Sequence, residues 1–314
     1  MTWTTPDLAP ARRAVGTTGL FVHPIALDGS VFGWAAGPEE TATVLDVYSS
    51  AGGNLVSTAD HYAGGRSEVM IGSWLRSRRI RNEMVIATKV GRHPDNPGLD
   101  PRSIIAAVDA SLERLGVEHI DLLSLDGESS DIPIEESLGA LEDLVTSGKI
   151  RAVGVSGFRA KTLARCEKAA EAGLPEVRAI VVEYSLMRRA EYEKHLQPFA
   201  VRHNACGLAR LPLANGFLTG DFRQREDFPT SGMFMDAAKH AGRKGTKVLG
   251  ALDEIAAALE SSPGRVAAAW VISRPGIASA IARARNAPQV AELLEAAMLD
   301  LPPEHVARLD RVSA

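Results

Sequence analysis

The sequence Gly52-Gly-Asn-Leu-Val-Ser-Thr-Ala-Asp-His-Tyr62 carries the strongest architectural signal in this 314-residue chain. Its apolar run Leu55–Ser57 follows a Gly-Gly-Asn turn and predicts a short buried strand. Tyr62 comes shortly after this strand. The next apolar run, residues 85–88, leads directly into Lys89. A phenol and an ammonium group therefore follow two consecutive candidate strands.

The same alternation of a short apolar run and a longer amphipathic segment continues along the chain. Eight strands are predicted in this way, at residues 25–27, 55–57, 85–88, 120–123, 152–155, 179–182, 207–209 and 279–281. Eight strand-helix units favour a parallel (β/α)8 TIM barrel, whose active site lies at the C-terminal ends of the strands. A doubly wound sheet is the alternative, but no predicted strand is followed by G-x-G-x-x-G.

The predicted helices carry start and stop signals. Pro101–Leu115 has apolar residues at helical spacing, with Asp100 as the N-cap and Pro101 at the first helical position. Residues 134–145, 160–172 and 247–259 show the same pattern. Gly116, Gly148 and Gly173 follow three of these helices, where a left-handed residue is common. Residues 215–244 are predicted to form a long loop after the seventh strand, either mobile or a lid.

Composition excludes several classes of function. The chain has 45% apolar residues and a formal net charge of −4, which indicates a globular protein without a nucleic-acid partner. No apolar run is long enough to span a membrane, and residues 1–10 lack the apolar core of a signal peptide. Cys166 and Cys206 show neither metal-ligand nor redox spacing, so we predict no metal site and a cytoplasmic location. We expect one domain over residues 1–314 and a small-molecule substrate. The sequence leaves open whether the protein is a monomer or a homo-oligomer.

The motifs resemble those of the aldo-keto reductase family. In that family, Gly-x-Asn-x-x-Asp-Thr-Ala-x-x-Tyr is followed by a Ser-Glu helix start, here Ser67-Glu68, and by a strand that ends in lysine. The resemblance covers nearly the whole chain. It implies that residues 12–24 form a hairpin at the bottom of the barrel. Further matching segments are Lys149-Ile-Arg-Ala-Val-Gly-Val-Ser156, Glu183-Tyr-Ser-Leu-Met-Arg-Arg189, Pro212-Leu213-Ala-Asn-Gly-Phe-Leu-Thr-Gly220 and Ala284-Arg-Asn-Ala-Pro-Gln289.

The resemblance also implies roles for individual residues. Tyr62 would transfer a proton and Lys89 would lower its pKa, because a nearby ammonium group favours the phenolate. Ser156 and Leu213 stand at cofactor-binding positions. Arg285, Asn286 and Gln289 resemble the group that holds the adenosine 2′-phosphate of NADP(H). Trp34 and His61 are candidates for the substrate pocket.

Several positions depart from the family pattern, and they cluster where the family performs its chemistry. The aspartate that partners the lysine is Ser57, and the histidine that contacts the substrate carbonyl is Asp126. Other departures are Gly157 for asparagine, Glu183 for glutamine, Arg210 for the aromatic residue beneath nicotinamide, Asp221 for lysine and Arg283 for glycine.

Each change has a chemical consequence. The Glu183 carboxylate accepts hydrogen bonds but cannot donate them, and Arg210 puts a charged guanidinium where a flat ring is expected. Because Glu183 and Arg210 end adjacent predicted strands, we expect an ion pair between them. We also expect Asp126 to replace the missing aspartate by facing Lys89 or Tyr62. Alternatively, burial keeps Asp126 protonated as a hydrogen-bond donor to substrate.

Three functional hypotheses follow. The departures favour a non-redox acid/base enzyme that needs no cofactor. It would catalyse dehydration, elimination, isomerisation or cyclisation of a small carbonyl-containing metabolite, using Tyr62 with Asp126 or Glu183. The alternative is an NADPH-dependent carbonyl reductase that retains Tyr62, Lys89 and the 2′-phosphate group. The third is a non-catalytic binding or regulatory subunit.

Overall fold

A computed structural model describes residues 10–229 and 233–314 of the chain. Two short antiparallel strands come first, β1 (Arg13–Ala14) and β2 (Phe21–Val22), which confirms the predicted N-terminal hairpin. Eight parallel strands then form a closed barrel in chain order, with the last strand pairing with the first. They are β3 (Ile25–Asp28), β4 (Leu55–Ser57), β5 (Val85–Val90), β6 (Ile120–Asp126), β7 (Ile150–Ser156), β8 (Val177–Glu183), β9 (Cys206–Arg210) and β10 (Ile277–Ala282). The predicted (β/α)8 barrel is therefore confirmed.

Helices surround the barrel and connect its strands. They are α1 (Pro38–Ser50), α2 (Arg66–Arg78), α3 (Pro101–Leu115), α4 (Ile134–Thr146), α5 (Ala160–Glu171), α6 (Gln197–Arg202), α7 (Met233–Ala238), α8 (Arg243–Ala258), α9 (Pro263–Ile272), α10 (Ala287–Ala296) and α11 (Pro303–Ser313). A π-helical turn, Tyr192–Leu196, precedes α6. Within the described ranges, no helix is long and apolar enough to cross a lipid bilayer.

Helix α3 shows how local sequence sets the element boundaries. The Asp100 carboxylate accepts a hydrogen bond from the Ser103 backbone N–H at 3.1 Å, which caps the first turn. Gly116 ends the helix in the left-handed region at φ 61°. The predicted bounds of α3 are therefore correct.

The segment after β9 is more structured than the predicted loop. Residues 215–244 include two short 3-10 turns and α7, and α8 begins at Arg243 instead of at residue 247. Leu211, Ala214 and Asn215 have φ values of 58°, 49° and 59°, a region that side-chain-bearing residues rarely adopt. The surrounding packing therefore holds this segment in a strained conformation at the mouth of the barrel.

The apolar core has two layers. One fills the space between the strands and the helices, and includes Trp270, Tyr48 and Phe217. The other fills the barrel interior, where Val15, Leu20 and Val22 from the hairpin region cluster with inward-facing strand residues. Because these three residues share a cluster with Leu55 and Val85 near the strand starts, the hairpin closes the N-terminal end of the barrel. The C-terminal end remains available for a site.

The Ser67-Glu68 pair serves this packing. Glu68 is fully buried and accepts hydrogen bonds from Thr88 Oγ1 at 2.6 Å and Arg114 Nε at 2.7 Å. Ser67 Oγ donates to the Gly29 carbonyl at 2.8 Å. These contacts join α2 to α3, β5 and the end of β3. These buried hydrogen bonds fit a structural role for Ser67 and Glu68 in holding α2 against the barrel.

Candidate active site

Tyr62 and Lys89 lie together at the C-terminal mouth of the barrel. Lys89 is 4% exposed, and its Nζ donates to the Thr58 carbonyl at 2.5 Å. The same Nζ lies 4.8 Å from the centroid of the Tyr62 ring, within range of a cation–π contact. In the described part of the chain, no hydrogen bond joins Nζ to the Tyr62 hydroxyl. The structure thus brings together the two residues that the sequence motif singled out, with the ammonium group against the ring.

The turn that carries Tyr62 is fastened to the neighbouring strand. The backbone N–H groups of Thr58 and Asp60 donate to the carbonyls of Ala87 and Lys89, both at 2.8 Å, which continues the β4–β5 ladder. The buried Asp60 carboxylate accepts from the Gly91 N–H at 3.0 Å. Gly65 then adopts φ 84° and starts α2. Tyr62 is therefore held by backbone contacts on both sides.

The protonation of Tyr62 depends on burial and on charges from four neighbours. Burial raises the pKa of Tyr62 strongly, and the carboxylates of Asp28 and Asp126 raise it further. The guanidinium groups of Arg210 and Arg283 lower it, but less than burial raises it. The net shift of the Tyr62 pKa is therefore upward, and the lowering by Lys89 that the resemblance implies stays a prediction. The phenol stays neutral and protonated at physiological pH.

Burial acts on Lys89 in the opposite direction. It lowers the pKa of this ammonium group, while the carboxylates of Asp28 and Asp126 raise it and Arg210 lowers it. Lys89 is enclosed by the barrel and has no carboxylate within ion-pair distance among the described residues. The carboxylates of Asp28, Asp126 and Asp60 balance its charge at longer range.

Asp28, at the end of β3, is the site residue that the sequence interpretation missed. It is 2% exposed, accepts from the Ser30 N–H at 2.9 Å and lies 3.4 Å from Arg283 Nε. Its Cα is in register with that of Ser57 on β4, the position where the resemblance expects an aspartate. Ser57 itself is buried between Asp28 and Ala87. The Asp28 carboxylate on β3 therefore lies next to Ser57 on β4, the position where the resemblance expects an aspartate. The sequence feature that could have identified Asp28 is its position directly after the apolar run Ile25-Ala-Leu, at the end of a predicted strand.

Asp126 contacts neither proposed partner directly. Its Oδ1 accepts from Ser156 Oγ at 2.8 Å, and its Oδ2 lies 3.3 Å from Arg92 Nε. Its charge reaches Lys89 and Tyr62 through longer-range electrostatics. The hypothesis that Asp126 faces Lys89 or Tyr62 as a direct partner is therefore wrong for this arrangement. Asp126 does share the mouth of the barrel with both.

The predicted ion pair between Glu183 and Arg210 was also wrong. The Cα atoms of these residues are in register on β8 and β9, but Glu183 Oε1 pairs with Arg188 Nε at 3.2 Å. A turn between Ser185 and Arg188 brings the chain back towards the end of β8, and Arg188 instead of Arg210 therefore pairs with the Glu183 carboxylate. Gly157 has φ 71° and open space where a side chain would extend.

A second group of predicted residues lies around the start of α10. Asn286 caps this helix by accepting from the Gln289 N–H at 3.0 Å, and Gln289 Oε1 accepts from the Arg285 N–H at 2.8 Å. Arg283 donates to Ser30 Oγ at 3.0 Å and to Asn215 Oδ1 at 2.9 Å. It thereby ties β10 to the segment after β9, where the partly buried Leu213 packs against the core.

A cavity of about 970 Å³ opens above the strand ends. Tyr62, Lys89, Asp126, Ser156 and Arg210 line its floor. Residues from the loop after β8 and from the C-terminal helix complete its walls, including Met187, Arg188, Asp310 and Ala314. The volume is that of a small-molecule site.

The two substrate-pocket candidates differ in position. His61 lines the cavity, packs edge-on against Tyr62 at 4.9 Å and contacts Asp60 Oδ1 through Nδ1 at 3.1 Å. Trp34 is 78% exposed on the loop after β3 and does not line the described cavity. The cavity wall thus includes His61 without Trp34. The cavity is also not lined by the predicted cofactor residues Arg283, Arg285, Asn286 and Gln289. These residues lie on the other side of the barrel mouth.

Comparison with known proteins agrees with this architecture. The family model described as Aldo/keto reductase family matches residues 25–314. An aldo-keto reductase of Schizosaccharomyces pombe, whose name specifies NADP(+), is 31% identical over 75% of this chain and 71% of its own length. An aldo-keto reductase of Strobilurus tenacellus is 30% identical over 90% of this chain and 83% of its own. A probable voltage-gated potassium channel subunit beta of Arabidopsis thaliana is 28% identical over 90% of both chains. This chain belongs to the aldo/keto reductase family.

Proposed function

We propose that this protein is an NADP(H)-dependent reductase of a carbonyl compound and that Tyr62 is its proton donor. Family membership and the relative named for NADP(+) support this over the non-redox hypothesis that the sequence favoured. The observation that carries the proposal is the Lys89 ammonium group 4.8 Å from the Tyr62 ring centroid, on the floor of a large cavity at the mouth of a closed barrel.

The residues fit a phosphorylated dinucleotide at two places. The N-terminus of α10 has no acidic residue in its first turn, and the positive end of its dipole suits a phosphate. Arg285, Asn286 and Gln289 lie there, with a guanidinium and two amides. At the barrel mouth, Ser156 and Glu183 end adjacent strands and offer oxygen acceptors for the N–H groups of a carboxamide. These residues would hold the two ends of NADP(H).

The protein's own contribution to carbonyl reduction is proton transfer and charge stabilisation. When bound, the reduced nicotinamide supplies the hydride. Tyr62, kept neutral by burial and carboxylates, donates its phenolic proton to the carbonyl oxygen. The buried Lys89 ammonium stabilises the phenolate that remains, because opposite charges attract strongly where water is excluded.

A second candidate is non-redox acid/base catalysis at Tyr62 without any nucleotide. Two side chains at the nicotinamide position favour it, the charged Arg210 and the Glu183 carboxylate. An arginine there supplies no flat aromatic face and disfavours a cationic oxidised ring. This hypothesis predicts substrate turnover in the complete absence of NADPH.

Calorimetric titration with NADPH and NADP⁺, after removal of copurified nucleotide, is the first test. We expect micromolar or tighter binding of NADPH and its consumption with at least one member of a carbonyl panel. Absence of binding to folded, nucleotide-free protein would overturn the reductase proposal.

A matched pair of tyrosine variants tests the role of Tyr62. Tyr62→Phe should lower kcat by about 100-fold or more while NADPH binding is retained, since general acid catalysis contributes that much. Tyr192→Phe removes a buried phenolic hydroxyl bonded to the Pro275 carbonyl, away from the cavity wall, and serves as the control. Equal activity of the two variants would contradict the assignment of Tyr62.

A further inference from the structure

Asp60 and His61 form a hydrogen-bonded pair directly beside Tyr62. His61 Nδ1 lies 3.1 Å from Asp60 Oδ1, and the Asp60 side chain is fully buried. The other carboxylate oxygen of Asp60 accepts from the backbone N–H groups of Gly91 at 3.0 Å and His93 at 3.4 Å. Three donors therefore fix the carboxylate, and the carboxylate in turn fixes the orientation of the imidazole.

The hydrogen on the imidazole can be assigned from these contacts. Burial by itself raises the pKa of Asp60, but the hydrogen bonds from His61 and from the backbone outweigh it, and the pKa lies below its usual value. An ionised carboxylate can only accept, so Nδ1 is the nitrogen of His61 that carries the hydrogen. The other ring nitrogen, Nε2, has no hydrogen-bond partner within residues 10–229 and 233–314.

His61 belongs to the same cavity as the proposed proton donor. Its side chain is 29% exposed and lines the cavity together with Tyr62 and Lys89. The His61 ring packs edge-on against the Tyr62 ring, with 4.9 Å between the centroids. Because Nδ1 is taken by the buried Asp60, Nε2 is the ring nitrogen left for a ligand in the cavity.

We propose that His61 is a second catalytic residue, whose Nε2–H donates a hydrogen bond to the substrate carbonyl oxygen beside the Tyr62 hydroxyl, and that Asp60 positions it. Nε2 carries a hydrogen only in the protonated imidazole, and the adjacent Asp60 carboxylate stabilises that cation. A cationic donor there stabilises the negative charge that develops on the oxygen during reduction. This inference rests on the proposed reductase activity, except for its binding test.

The charged form of His61 gives the proposal a pH dependence. The titratable groups around it are Asp60 and Tyr62 on its own turn, Lys89, Arg92 and His93 from β5 and the loop after it, and Asp126 at the end of β6. The two carboxylates favour a cation on His61, and the cations oppose it. Because the protonated form is the active one, kcat/KM should fall as the pH rises through the titration of an imidazole.

Asp60→Asn tests the positioning role. The variant keeps an oxygen that can accept from the imidazole N–H but removes the charge that stabilises the cation. We expect the fall in kcat/KM to move to lower pH. A loss of activity with an unmoved pH profile would show that Asp60 only holds the turn and would overturn its role toward His61.

His61→Phe tests the catalytic role, because it keeps a ring against Tyr62 and removes both nitrogens. With the best aldehyde of the carbonyl panel, kcat/KM should fall by about 10- to 100-fold, the worth of a hydrogen bond to a charged group. The imidazole limb of the pH profile should disappear, while NADPH binding is retained. His61→Gln keeps an N–H donor that does not titrate, so it should recover part of the rate without that limb. A profile that keeps the limb in His61→Phe would overturn the assignment.

His119→Phe is the matched control. His119 is also half-buried and lies 3.5 Å from a buried carboxylate, that of Asp121, but it directly precedes β6 at the opposite end of the barrel. This variant should leave kcat/KM and its pH profile unchanged. Equal losses in His61→Phe and His119→Phe would contradict a specific role for His61.

The binding test needs no turnover and uses benzamide, an unreactive analogue of benzaldehyde, with NADPH and without it. We expect benzamide to shift the nitrogen NMR resonance of His61 Nε2 in protein isotopically labelled at histidine, with His61→Phe identifying the signal. A resonance that does not respond to benzamide under either condition would overturn the contact. If no aldehyde is reduced but the resonance responds, the reductase proposal fails and the His61 contact stands.

Discussion

Asp28 offers the sharpest test of the electrostatics around Tyr62. Asp28→Asn removes the negative charge but keeps the side-chain size and an oxygen that can accept from the Ser30 N–H. Because Asp28 is the strongest charge that raises the Tyr62 pKa, we expect this pKa to fall in the variant. Asp126→Asn is the matched control, since the Asp126 carboxylate acts in the same direction more weakly.

The effect of this change on stability follows from the ion pair with Arg283. Charges 3.4 Å apart attract by about 5 kcal/mol at an effective dielectric constant of about 20. Arg283 retains its bonds to Ser30 and Asn215, and asparagine can still accept a hydrogen bond. The net fall in the free energy of unfolding should therefore be about 1–3 kcal/mol, measured by urea denaturation.

The ionisation of Tyr62 can be followed by the ultraviolet absorption of tyrosinate, with Tyr62→Phe as the subtraction reference. Asp28→Asn should bring the Tyr62 transition to lower pH than Asp126→Asn does. A larger shift in Asp126→Asn, or an upward shift in Asp28→Asn, would refute this account of the site. The pH profile of kcat should move in the same direction as the absorption change.

Three further predictions concern stability and cofactor selection. Glu68→Gln should lower the free energy of unfolding by about 2–3 kcal/mol, because it leaves the half-buried Arg114 guanidinium without its counter-charge; an unchanged urea midpoint would contradict this. Burial raises the pKa of all four tyrosines above the unfolded value of about 10. As the pH rises above about 10, the unfolded chain therefore loses its phenolic protons before the folded protein does. The free energy of unfolding should keep the full contribution of these tyrosines below about pH 10 and fall as the pH rises further. Urea midpoints that stay constant through that range would count against it. Arg285→Ala should weaken NADPH binding by about tenfold and leave NADH binding nearly unchanged, as measured by calorimetry; equal losses for both would remove Arg285 from the 2′-phosphate site.

The barrel could be predicted from sequence because each strand-helix unit shows its own periodicity. The predicted bounds of β4 were correct, and most of the other strands were predicted too short, several of them at both ends. At the C-terminal ends, Lys89, Asp126 and Glu183 continue the ladder although they are polar. Apolar pattern alone ends a strand at its last apolar residue. At the mouth of a barrel, backbone pairing continues through the polar residues that form the site. Three of the residues missed at the C-terminal ends, Lys89, Asp126 and Glu183, therefore lie at the candidate site.

The pairing of charges in the site was less predictable. Strand register correctly indicates that Glu183 and Arg210 are neighbours, but side-chain pairing depends on the loops as well. The turn after β8 brings Arg188 to Glu183, and no pattern in a single sequence reports that fold-back. Asp28 was missed for a related reason, since its ion pair with Arg283 depends on the closure of the barrel between β10 and β3.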